Sequence, residues 1–463
     1  MLDKKIIKSL ESIVGRENVS TEKADLVCYS FDATQQRCLA EAVVHAHSAE
    51  EVSRVLQLAN AERFPVYPRG AGSGFSGGSI PTEGGVALVL QGMDKILRID
   101  EENMVAEVEP GVVTETFQEA VEEKGLFYPP DPASLKFSTL GGNVAECAGG
   151  PRCVKYGVTR DYILGLEVVT PTGDIIRTGG QTMKGVVGYD LTRLMVGSEG
   201  TLGVITKIII KLIPLPPAKK TMLVIFDSIR GASKAVSQII LGKIIPTTLE
   251  FMDSTSIDVV RNATDVVIPE EAKAILVIEV DGEEELLEKQ AARILEIVTP
   301  FGVVETRVAR DQAEAEDIWK LRRSISPSLR QVNPNKFNED ICVPRSKIPD
   351  MILELERISK EVAVPIINFG HAGDGNIHVN VMVDCSVPGE EEKVDRALEE
   401  IFKATLALGG TLSGEHGIGI TKAPFLGMEL NNPTIKYMQT IKKALDPNNI
   451  LNPGKIFSAS GQV

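Results

Sequence analysis

The pattern of apolar and polar positions changes between helical and strand-like spacing several times within the first 210 residues. Residues 6–14 carry apolar side chains at helical spacing, and the stretch AVVHAHS that follows Glu41 is strand-like. SAEEVSRVLQLANAERF predicts a helix with Ser48 as its N-cap, and Glu51 completes a capping box. A further helix is predicted at 114–124, among short strands and glycine-rich loops. This alternation predicts an α/β or α+β domain.

A second pattern begins after PLPPAKK, the stretch Pro214–Lys220. Three prolines in four residues cannot continue a strand or a helix, so this stretch is predicted to be a linker. Beyond it, the strand patterns TMLVIFDS, KAILVIEVDG and VVETRVA alternate with helical patterns at 229–241 and in EEELLEKQAARILEIV. Repeated strand–helix–strand units of this kind predict a compact sheet covered by helices, of the ferredoxin-like type.

The C-terminal stretch IKKALDPNNILNPGKIF ends in prolines and asparagines but keeps apolar side chains at Ile450, Leu451 and Ile456. This composition predicts a segment that is docked against the protein. The domain boundaries that follow are 1–215 for a first domain, 216–440 for a second and 441–463 for a C-terminal segment that returns to the first.

Composition and charge exclude several classes of protein. Of the 463 residues, 43% are hydrophobic and 24% charged, and the net charge is −15, which argues against nucleic acid or an anionic membrane as the main partner. The N-terminus carries charges throughout, and no run approaches the roughly 18 apolar residues of a membrane span. Six cysteines without a CxxC motif predict reduced thiols in a cytoplasmic protein and argue against an iron–sulfur cluster on this chain.

Three glycine-rich loops lie in one stretch of the first domain: PRGAGSGFSGG, STLGGNVAECAGGPRCVKYG and VGSEGTLGVITKI. Glycine lets a backbone approach a ligand closely, and successive amides bind phosphate without a cationic side chain. The spacing is neither a Rossmann GxGxxG nor a P-loop. The alternative for a single loop is a flexible turn, but three loops together favour backbone packed along a ligand about as long as a dinucleotide.

Two of the five histidines lie in the stretch FGHAGDGNIHVN, where they flank three residues of glycine and aspartate at 373–375. From Asn376 the chain alternates, so His378 and Asn380 share one strand face, and a turn at 373–375 would bring the ring of His371 back toward His378. Alone, such a pair is more often structural than metal-binding. In LSGEHGIGI, a carboxylate and an imidazole are adjacent, and one of them would complete a three-ligand set while the other turns to a substrate.

The three glycine loops, together with GHAGDGNIHVN, SGEHGIG and the terminal LNPGKIF, resemble the vanillyl-alcohol oxidase type of FAD enzyme. The resemblance covers nearly the whole chain. It is to the branch of FAD-linked D-2-hydroxy-acid dehydrogenases that contains D-lactate dehydrogenase, the flavin subunit of glycolate oxidase and D-2-hydroxyglutarate dehydrogenase. It implies an α+β fold: a two-subdomain FAD-binding domain of the p-cresol methylhydroxylase type, followed by a ferredoxin-like α/β substrate domain.

The resemblance implies that the FAD contacts come from the three glycine loops, the segment before the second loop and the C-terminal segment. Some relatives attach flavin to a His or Cys of the first loop; none lies between Arg69 and Gly78, so non-covalent FAD is expected. The implied cofactor-binding residues are Pro68, Arg69, Gly70, Gly72, Ser73, Gly74, Gly77, Gly78, Pro132, Ser134, Thr139, Gly141, Gly142, Asn143, Ala145, Gly149, Gly150, Tyr156, Gly157, Glu199, Gly203, Val204, Ile205 and Asn452.

The resemblance also assigns the chemistry of the second half. It implies His371, His378 and Glu415 as ligands of a divalent metal, zinc with manganese or iron as alternatives, and His416 as the base that takes the hydroxyl proton. The implied substrate-binding residues are Arg322, Ser326, Lys336 and Asn380.

The function that follows is oxidation of a small D-2-hydroxy acid, D-lactate or glycolate, to the 2-oxo acid, with D-2-hydroxyglutarate as an alternative substrate. Without a cluster motif or an NAD fingerprint, the chain is expected to pass electrons to an electron-transfer flavoprotein or an iron–sulfur subunit. The expected location is cytoplasmic, or peripheral to a membrane through that partner, with a possible homodimer. The competing hypotheses are a metal-dependent hydrolase with structural glycine loops and a non-catalytic flavin subunit of an electron-transfer complex.

Overall fold

The computed structural model describes residues 2–34, 36–261 and 266–457 of the chain. The predicted C-terminal segment 441–463 therefore lies partly outside the described residues. The helices are α1 Lys4–Val14, α2 Lys23–Cys28, α3 Ala49–Glu62, α4 Thr114–Glu122, α5 Leu140–Glu146, α6 Cys153–Tyr156, α7 Leu191–Met195, α8 Ile229–Leu241, α9 Ser254–Val260, α10 Glu284–Val298, α11 Gln312–Arg323, α12 Ile325–Ser328, α13 Ile348–Val362, α14 Glu390–Ala407, α15 Leu426–Glu429 and α16 Asn432–Leu445.

The strands belong to four sheets. They are β1 Val19–Ser20, β2 Ala42–His45, β3 Val66–Arg69, β4 Val86–Val89, β5 Ile96–Asp100, β6 Val105–Val108, β7 Leu126–Phe127, β8 Ile163–Val169, β9 Ile175–Gly179, β10 Val204–Lys211, β11 Ile213–Pro214, β12 Ala218–Phe226, β13 Thr248–Asp253, β14 Ala274–Gly282, β15 Val303–Val308, β16 Asn335–Cys342, β17 Ile366–His371 and β18 Asn376–Val383.

The chain divides into two compact units. The first unit comprises Met1–Gly149, Val158–Leu215 and Glu415–Val463, and the second comprises Gly150–Gly157 and Pro216–Gly414. The division after residue 215 coincides with the predicted boundary. The return to the first unit begins at Glu415, earlier than the predicted residue 441, and the short segment Gly150–Gly157 belongs to the second unit.

The predicted linker Pro214–Lys220 is shorter in the structure than the sequence suggested. Pro214 is the last residue of β11, which pairs only with β7 in a two-stranded ladder, and Ala218 already begins β12. The prediction that this whole stretch lies outside strands was therefore wrong, because proline is tolerated at the end of an edge strand, where its missing N–H breaks no ladder bond.

The first unit contains a four-stranded sheet of order β1-β2-β4-β3, in which β4 runs parallel to both β2 and β3, and a five-stranded antiparallel sheet of order β5-β6-β10-β8-β9. Helix α3 begins as predicted, since the Ser48 hydroxyl accepts a bond from the Glu51 amide, although the Glu51 carboxylate reaches back to the amide of His47. Ile450 and Leu451 are buried in the core beside β3.

The second unit is built on one seven-stranded antiparallel sheet of order β15-β12-β14-β13-β17-β18-β16. Its first four strands along the chain follow the order β12–α8–β13–α9–β14–α10–β15, in which α9 is a short addition between β13 and β14. Their spatial order is 4-1-3-2, which confirms the predicted ferredoxin-like arrangement. The remaining strands, β16, β17 and β18, extend this sheet through the pairing of β17 with β13.

One face of this sheet is divided into an apolar and a polar part. Met252, Val277 and Phe369 pack there against residues from α9, α11 and α12 in one hydrophobic core. Cross-strand pairing places further side chains on the same face, because Phe369 lies opposite both Met252 and His378. Farther along the strands, the side chains on this face are polar. The face therefore carries both a hydrophobic core and a cluster of buried polar groups.

Candidate active site

The first and third glycine loops lie in the first unit, together with the part of the second loop that ends at Gly149. The Glu199 amide of the third loop donates to the Ala145 carbonyl of the second. A Cβ atom on Gly70 of the first loop would lie 2.2 Å from the Thr139 hydroxyl oxygen, so only glycine fits there. The Asn452 side-chain amide donates to the carbonyls of Gly78 and Glu199, at 2.9 and 2.6 Å. The C-terminal segment thus ties the first loop to the third.

The loops retain polar atoms and open space that suit a polar ligand. The Ser76 hydroxyl and the Asn452 side-chain oxygen are buried and make no hydrogen bond within the described part of the chain. Space beside Gly74 is open, since no described heavy atom lies within 4 Å of where its Cβ would stand. These features fit a bound dinucleotide, and the individual FAD contacts remain predictions.

Some predicted cofactor residues already have structural roles. Arg69 is 5% exposed, donates to the Phe31 carbonyl and lies over the Tyr29 ring. Gly72 has a φ of +67°, which favours glycine, and a Cβ there would also stand 2.2 Å from the Arg69 guanidinium. Pro132 and Ser134 accept turn hydrogen bonds before α5, and Gly203 precedes β10, which begins with Val204 and Ile205. Four further predicted residues lie in α5: Gly141, Gly142, Asn143 and Ala145.

The second unit includes Gly150, Tyr156 and Gly157, because side chains of the segment Gly150–Gly157 bind to that unit. The Tyr156 hydroxyl donates to the Asp281 carboxylate at 2.9 Å, and Lys155 forms an ion pair with the same carboxylate. Cys147 and Cys153 are not joined in a disulfide bond within the described part of the chain.

The loop that carries His416 is held against the glycine loops. The half-buried imidazole of His416 stacks on Phe75 of the first loop, with ring centroids 5.1 Å apart and planes at 24°. The buried Glu199 carboxylate accepts the amides of Ile418 and Gly419, at 2.8 and 2.7 Å. Burial raises the pKa of Glu199, although these amides oppose the change. A side chain predicted to contact the cofactor therefore also positions the backbone after His416.

In the second unit, His371 and His378 lie together on the polar part of the sheet face. Their Nε2 atoms are 3.2 Å apart and their ring planes meet at 86°. Both are buried, at 6% and 8% exposure. Two nitrogens bound at about 2.05 Å to one tetrahedral zinc ion would stand about 3.3 Å apart, so the pair has the spacing of two metal ligands.

The turn between the two histidines depends on Gly375. Its φ is +95°, and a Cβ there would lie 1.9 Å from the Val343 carbonyl oxygen. This confirms the prediction that a glycine-permitted turn returns His371 to His378.

Replacing Gly375 by alanine should destabilise the second unit by about 2–5 kcal/mol, because left-handed strain adds to a collision with main chain. Gly389→Ala is a matched control, since its φ is +89° but the nearest atom lies 4.0 Å away, and it should cost only about 1–2 kcal/mol. Fluorescence of Trp319, the single tryptophan, measures both during urea unfolding. Equal losses of unfolding free energy in the two variants would contradict a collision between the new Cβ atom and the Val343 carbonyl oxygen.

A residue that the sequence analysis missed connects the histidine pair to Arg322. Glu250 on β13 is fully buried, and its Oε1 atom lies 2.5 Å from His371 Nδ1. Its Oε2 atom forms an ion pair with the Arg322 guanidinium at 2.8 Å. Burial raises the pKa of Glu250, but His371 and Arg322 outweigh it and hold the pKa below its ordinary value.

Arg322 retains donor capacity beside this ion pair. Its guanidinium lies 4.6 Å from the centre of the Phe369 ring, and its buried Nε has no hydrogen-bond partner among the described residues. An arginine held by one carboxylate with a second N–H unpaired is suited to bind an incoming carboxylate.

The other predicted substrate residues differ in their surroundings. Lys336 Nζ lies 3.2 Å from the Ser326 hydroxyl, so these two come together. Asn380 is fully buried, and its amide donates to the Ile367 carbonyl and accepts from Asn338. Asn380 therefore already helps to hold the strands, and its contact with a substrate remains a prediction.

Glu415 is the first residue after the second unit ends. The preceding residue, Gly414, donates its amide to the Asp340 carboxylate at 2.8 Å, and Asp340 lies opposite His378 in the β16–β18 ladder. Glu415 itself is half-buried and begins the return of the chain to the first unit.

Comparison with known proteins decides the family. A model described as "FAD binding domain" matches residues 40–179, and one described as "FAD linked oxidases, C-terminal domain" matches residues 215–456, more than half of the chain. The chain belongs to the FAD-linked oxidase family. This confirms the resemblance in the glycine loops and the histidine motifs.

Relatives of this FAD-linked oxidase match over nearly its whole length. It is 46% identical to the glycolate oxidase subunit GlcD of Bacillus subtilis (strain 168), over 99% of this chain and 98% of the relative. It is 37% identical to a D-lactate dehydrogenase of Anaerostipes hadrus, over 90% and 89%. A structure of p-cresol methylhydroxylase with substrate bound superimposes with a TM-score of 0.82 at 20% identity, covering 99% and 98%, which confirms the predicted fold type.

Two further features of the FAD-linked oxidase concern its surroundings. Within the described residues, no helix combines the length and apolarity needed to cross a membrane. None of the six cysteines, all of which lie among the described residues, is in a disulfide bond.

Proposed function

We propose that this FAD-linked oxidase converts a small D-2-hydroxy acid, D-lactate or glycolate, to the 2-oxo acid. The observation that carries the proposal is the buried set of Glu250, His371 and His378 on one sheet face, with Arg322 of α11 paired to Glu250. In a flavin enzyme, such a set supplies a carboxylate-binding cation beside imidazole ligands. Non-covalently bound FAD would act as the acceptor of the hydride from C2 of the substrate.

The imidazole pair supports a divalent metal, zinc first and manganese or iron as alternatives. His371 and His378 would supply two nitrogen ligands, and Glu415 is the proposed third. A bound cation would lower the pKa of the substrate hydroxyl and orient it. The charge balance supports a cation as well, because Glu250 already neutralises Arg322, so a substrate carboxylate would otherwise bring an uncompensated negative charge into a buried cluster.

His416 is proposed as the group that accepts the hydroxyl proton. Its support is its stacking on Phe75 in the first glycine loop, which places an imidazole beside the proposed flavin-binding backbone. A neutral imidazole is the side chain best matched to proton transfer near pH 7.

Arg322 is proposed to bind the substrate carboxylate through its unpaired Nε, with Ser326, Lys336 and Asn380 as further contacts.

A second candidate substrate, D-2-hydroxyglutarate, is favoured by two cationic groups: Lys336, which lies next to Ser326, and the neighbouring Arg330. Burial, followed by the neighbouring Arg330, lowers the pKa of Lys336. A second carboxylate on the substrate would offset the electrostatic repulsion between Lys336 and Arg330.

The electrons are proposed to leave through a partner protein, an electron-transfer flavoprotein or an iron–sulfur subunit. A relative named as a subunit of glycolate oxidase supports this arrangement. The proposed location is cytoplasmic, or peripheral to a membrane through the partner, and a homodimer is the proposed assembly.

Anaerobic addition of substrate tests the function directly. We expect purified, yellow protein to lose its flavin absorbance with D-lactate or glycolate, while L-lactate leaves it unchanged. D-2-hydroxyglutarate in the same assay tests the second candidate. A colourless protein that releases no flavin on denaturation would refute the proposal. A yellow protein that none of the three acids reduces would favour the non-catalytic flavin subunit.

A further inference from the structure

We infer that Glu250 is a positioning residue that fixes both the metal-binding tautomer of His371 and the orientation of Arg322. The inference rests on the proposed function, in which His371 binds the cation and Arg322 the substrate carboxylate. It assigns a role to a glutamate in TTLEFMD, a stretch that otherwise has the sequence of an ordinary buried strand.

The first step concerns the proton on His371. An ionised carboxylate can only accept hydrogen bonds, so the Nδ1 atom of His371, 2.5 Å from Glu250 Oε1, must carry the proton. A neutral imidazole has one N–H, and the lone pair therefore lies on Nε2. That is the atom that faces His378 at 3.2 Å. Glu250 thus presents the lone pair of His371 to the position between the two rings, in the manner of carboxylate–histidine–metal groups.

The second step concerns Arg322. The same carboxylate uses its other oxygen for the guanidinium, and the side chains of Glu250 and Arg322 are 0% and 12% exposed. Water therefore has little access to either group, and the position of the guanidinium follows that of the carboxylate. One side chain sets the geometry of two proposed ligand-binding groups.

The third step explains why the residue is an acid. Both neighbours present N–H donors, so the position needs two acceptor oxygens. Glutamine has nearly the same shape but only one acceptor. If its oxygen faces His371, its NH₂ group opposes the Arg322 donor. If it faces Arg322, the NH₂ group opposes Nδ1–H, and His371 must move its proton to Nε2, where it blocks metal binding.

The test measures zinc affinity of the FAD-loaded protein by competition with a fluorescent chelator. Glu250→Gln should weaken zinc binding about 10–100-fold, the usual effect of losing a partner of a ligating histidine. Glu279→Gln is the matched control: Glu279 is also buried on this sheet face, and its carboxylate accepts hydrogen bonds from Thr221 and Trp319. It should leave zinc affinity unchanged.

A second measurement is independent of metal. Imidazole nitrogen NMR of the metal-free holoprotein should show one ring, absent from the spectrum of His371→Asn, in the Nδ1–H tautomer, and Glu250→Gln should change that signal. Finding that ring as Nε2–H in the wild type would overturn the inference. So would zinc binding by Glu250→Gln equal to that of the wild type. A wild-type protein that reduces its flavin but binds neither zinc nor manganese would instead remove the proposed metal site, and the inference with it.

Discussion

Replacing His416 by alanine should slow flavin reduction by the substrate about 10²–10⁴-fold, the usual contribution of a positioned general base, while FAD stays bound. The expectation follows from the proposed proton transfer, because the hydroxyl proton of the substrate would lose its acceptor. FAD retention is expected because the convergence of the glycine loops depends on backbone groups and on Thr139 and Asn452, and the imidazole contributes only its stacking on Phe75.

The measurement is stopped-flow reduction under anaerobic conditions, with FAD content taken from the absorption spectrum. His47→Ala is a suitable control, since His47 is an exposed histidine of the same unit whose ring contacts Asn18. It should reduce at the wild-type rate. If His416→Ala also reduced its flavin within twofold of that rate, His416 would not be the base. If it lost its FAD, the imidazole would be part of the cofactor site.

The elements of the fold followed from local sequence because each has a local cause. Helix α8 was predicted at its observed bounds, as its apolar side chains recur at helical spacing and Ser228 caps it. The His371–His378 pair was predictable for the same reason: a two-residue alternation and a glycine turn fix both positions within one hairpin.

Long-range pairing was not predictable in the same way. Glu250 meets His371 because β13 lies beside β17, and the two strands are 121 positions apart at that contact. Nothing near Glu250 in the sequence indicates this neighbour. A glutamate between the apolar residues Leu249 and Phe251 was the only local signal, since a buried carboxylate needs a partner.

The observed bounds of the two units differ from the predicted domain bounds for a related reason. Segment Gly150–Gly157 joins the second unit because Lys155 and Tyr156 bind Asp281, and these contacts cross more than a hundred residues. Similarly, the second unit ends at Gly414, whose amide donates to the Asp340 carboxylate, and this contact also joins distant parts of the sequence. Composition marks linkers well only where the connecting chain is exposed and short of contacts.

The ion pair between Arg322 and Glu250 leads to the second large effect. Arg322→Met should destabilise the second unit by about 3–5 kcal/mol, because it leaves a fully buried carboxylate without its countercharge. It should also raise the KM for D-lactate, because the proposed carboxylate ligand is lost. Arg323→Met is the neighbouring control: Arg323 is half exposed and pairs with Glu316 on the helix surface, so little change is expected.

The double variant Arg322→Met with Glu250→Gln separates the two roles of the pair. The double variant should regain most of the free energy of unfolding that Arg322→Met loses, because no unpaired charge remains buried. Trp319 fluorescence during urea unfolding measures this free energy. Zinc affinity should also recover relative to Glu250→Gln alone, because the glutamine oxygen is then free to accept from His371 Nδ1–H without opposing an arginine donor. The KM for D-lactate should stay high, because neither change restores the guanidinium. Recovery of KM together with stability would show that Arg322 serves only to neutralise Glu250 and does not bind the substrate.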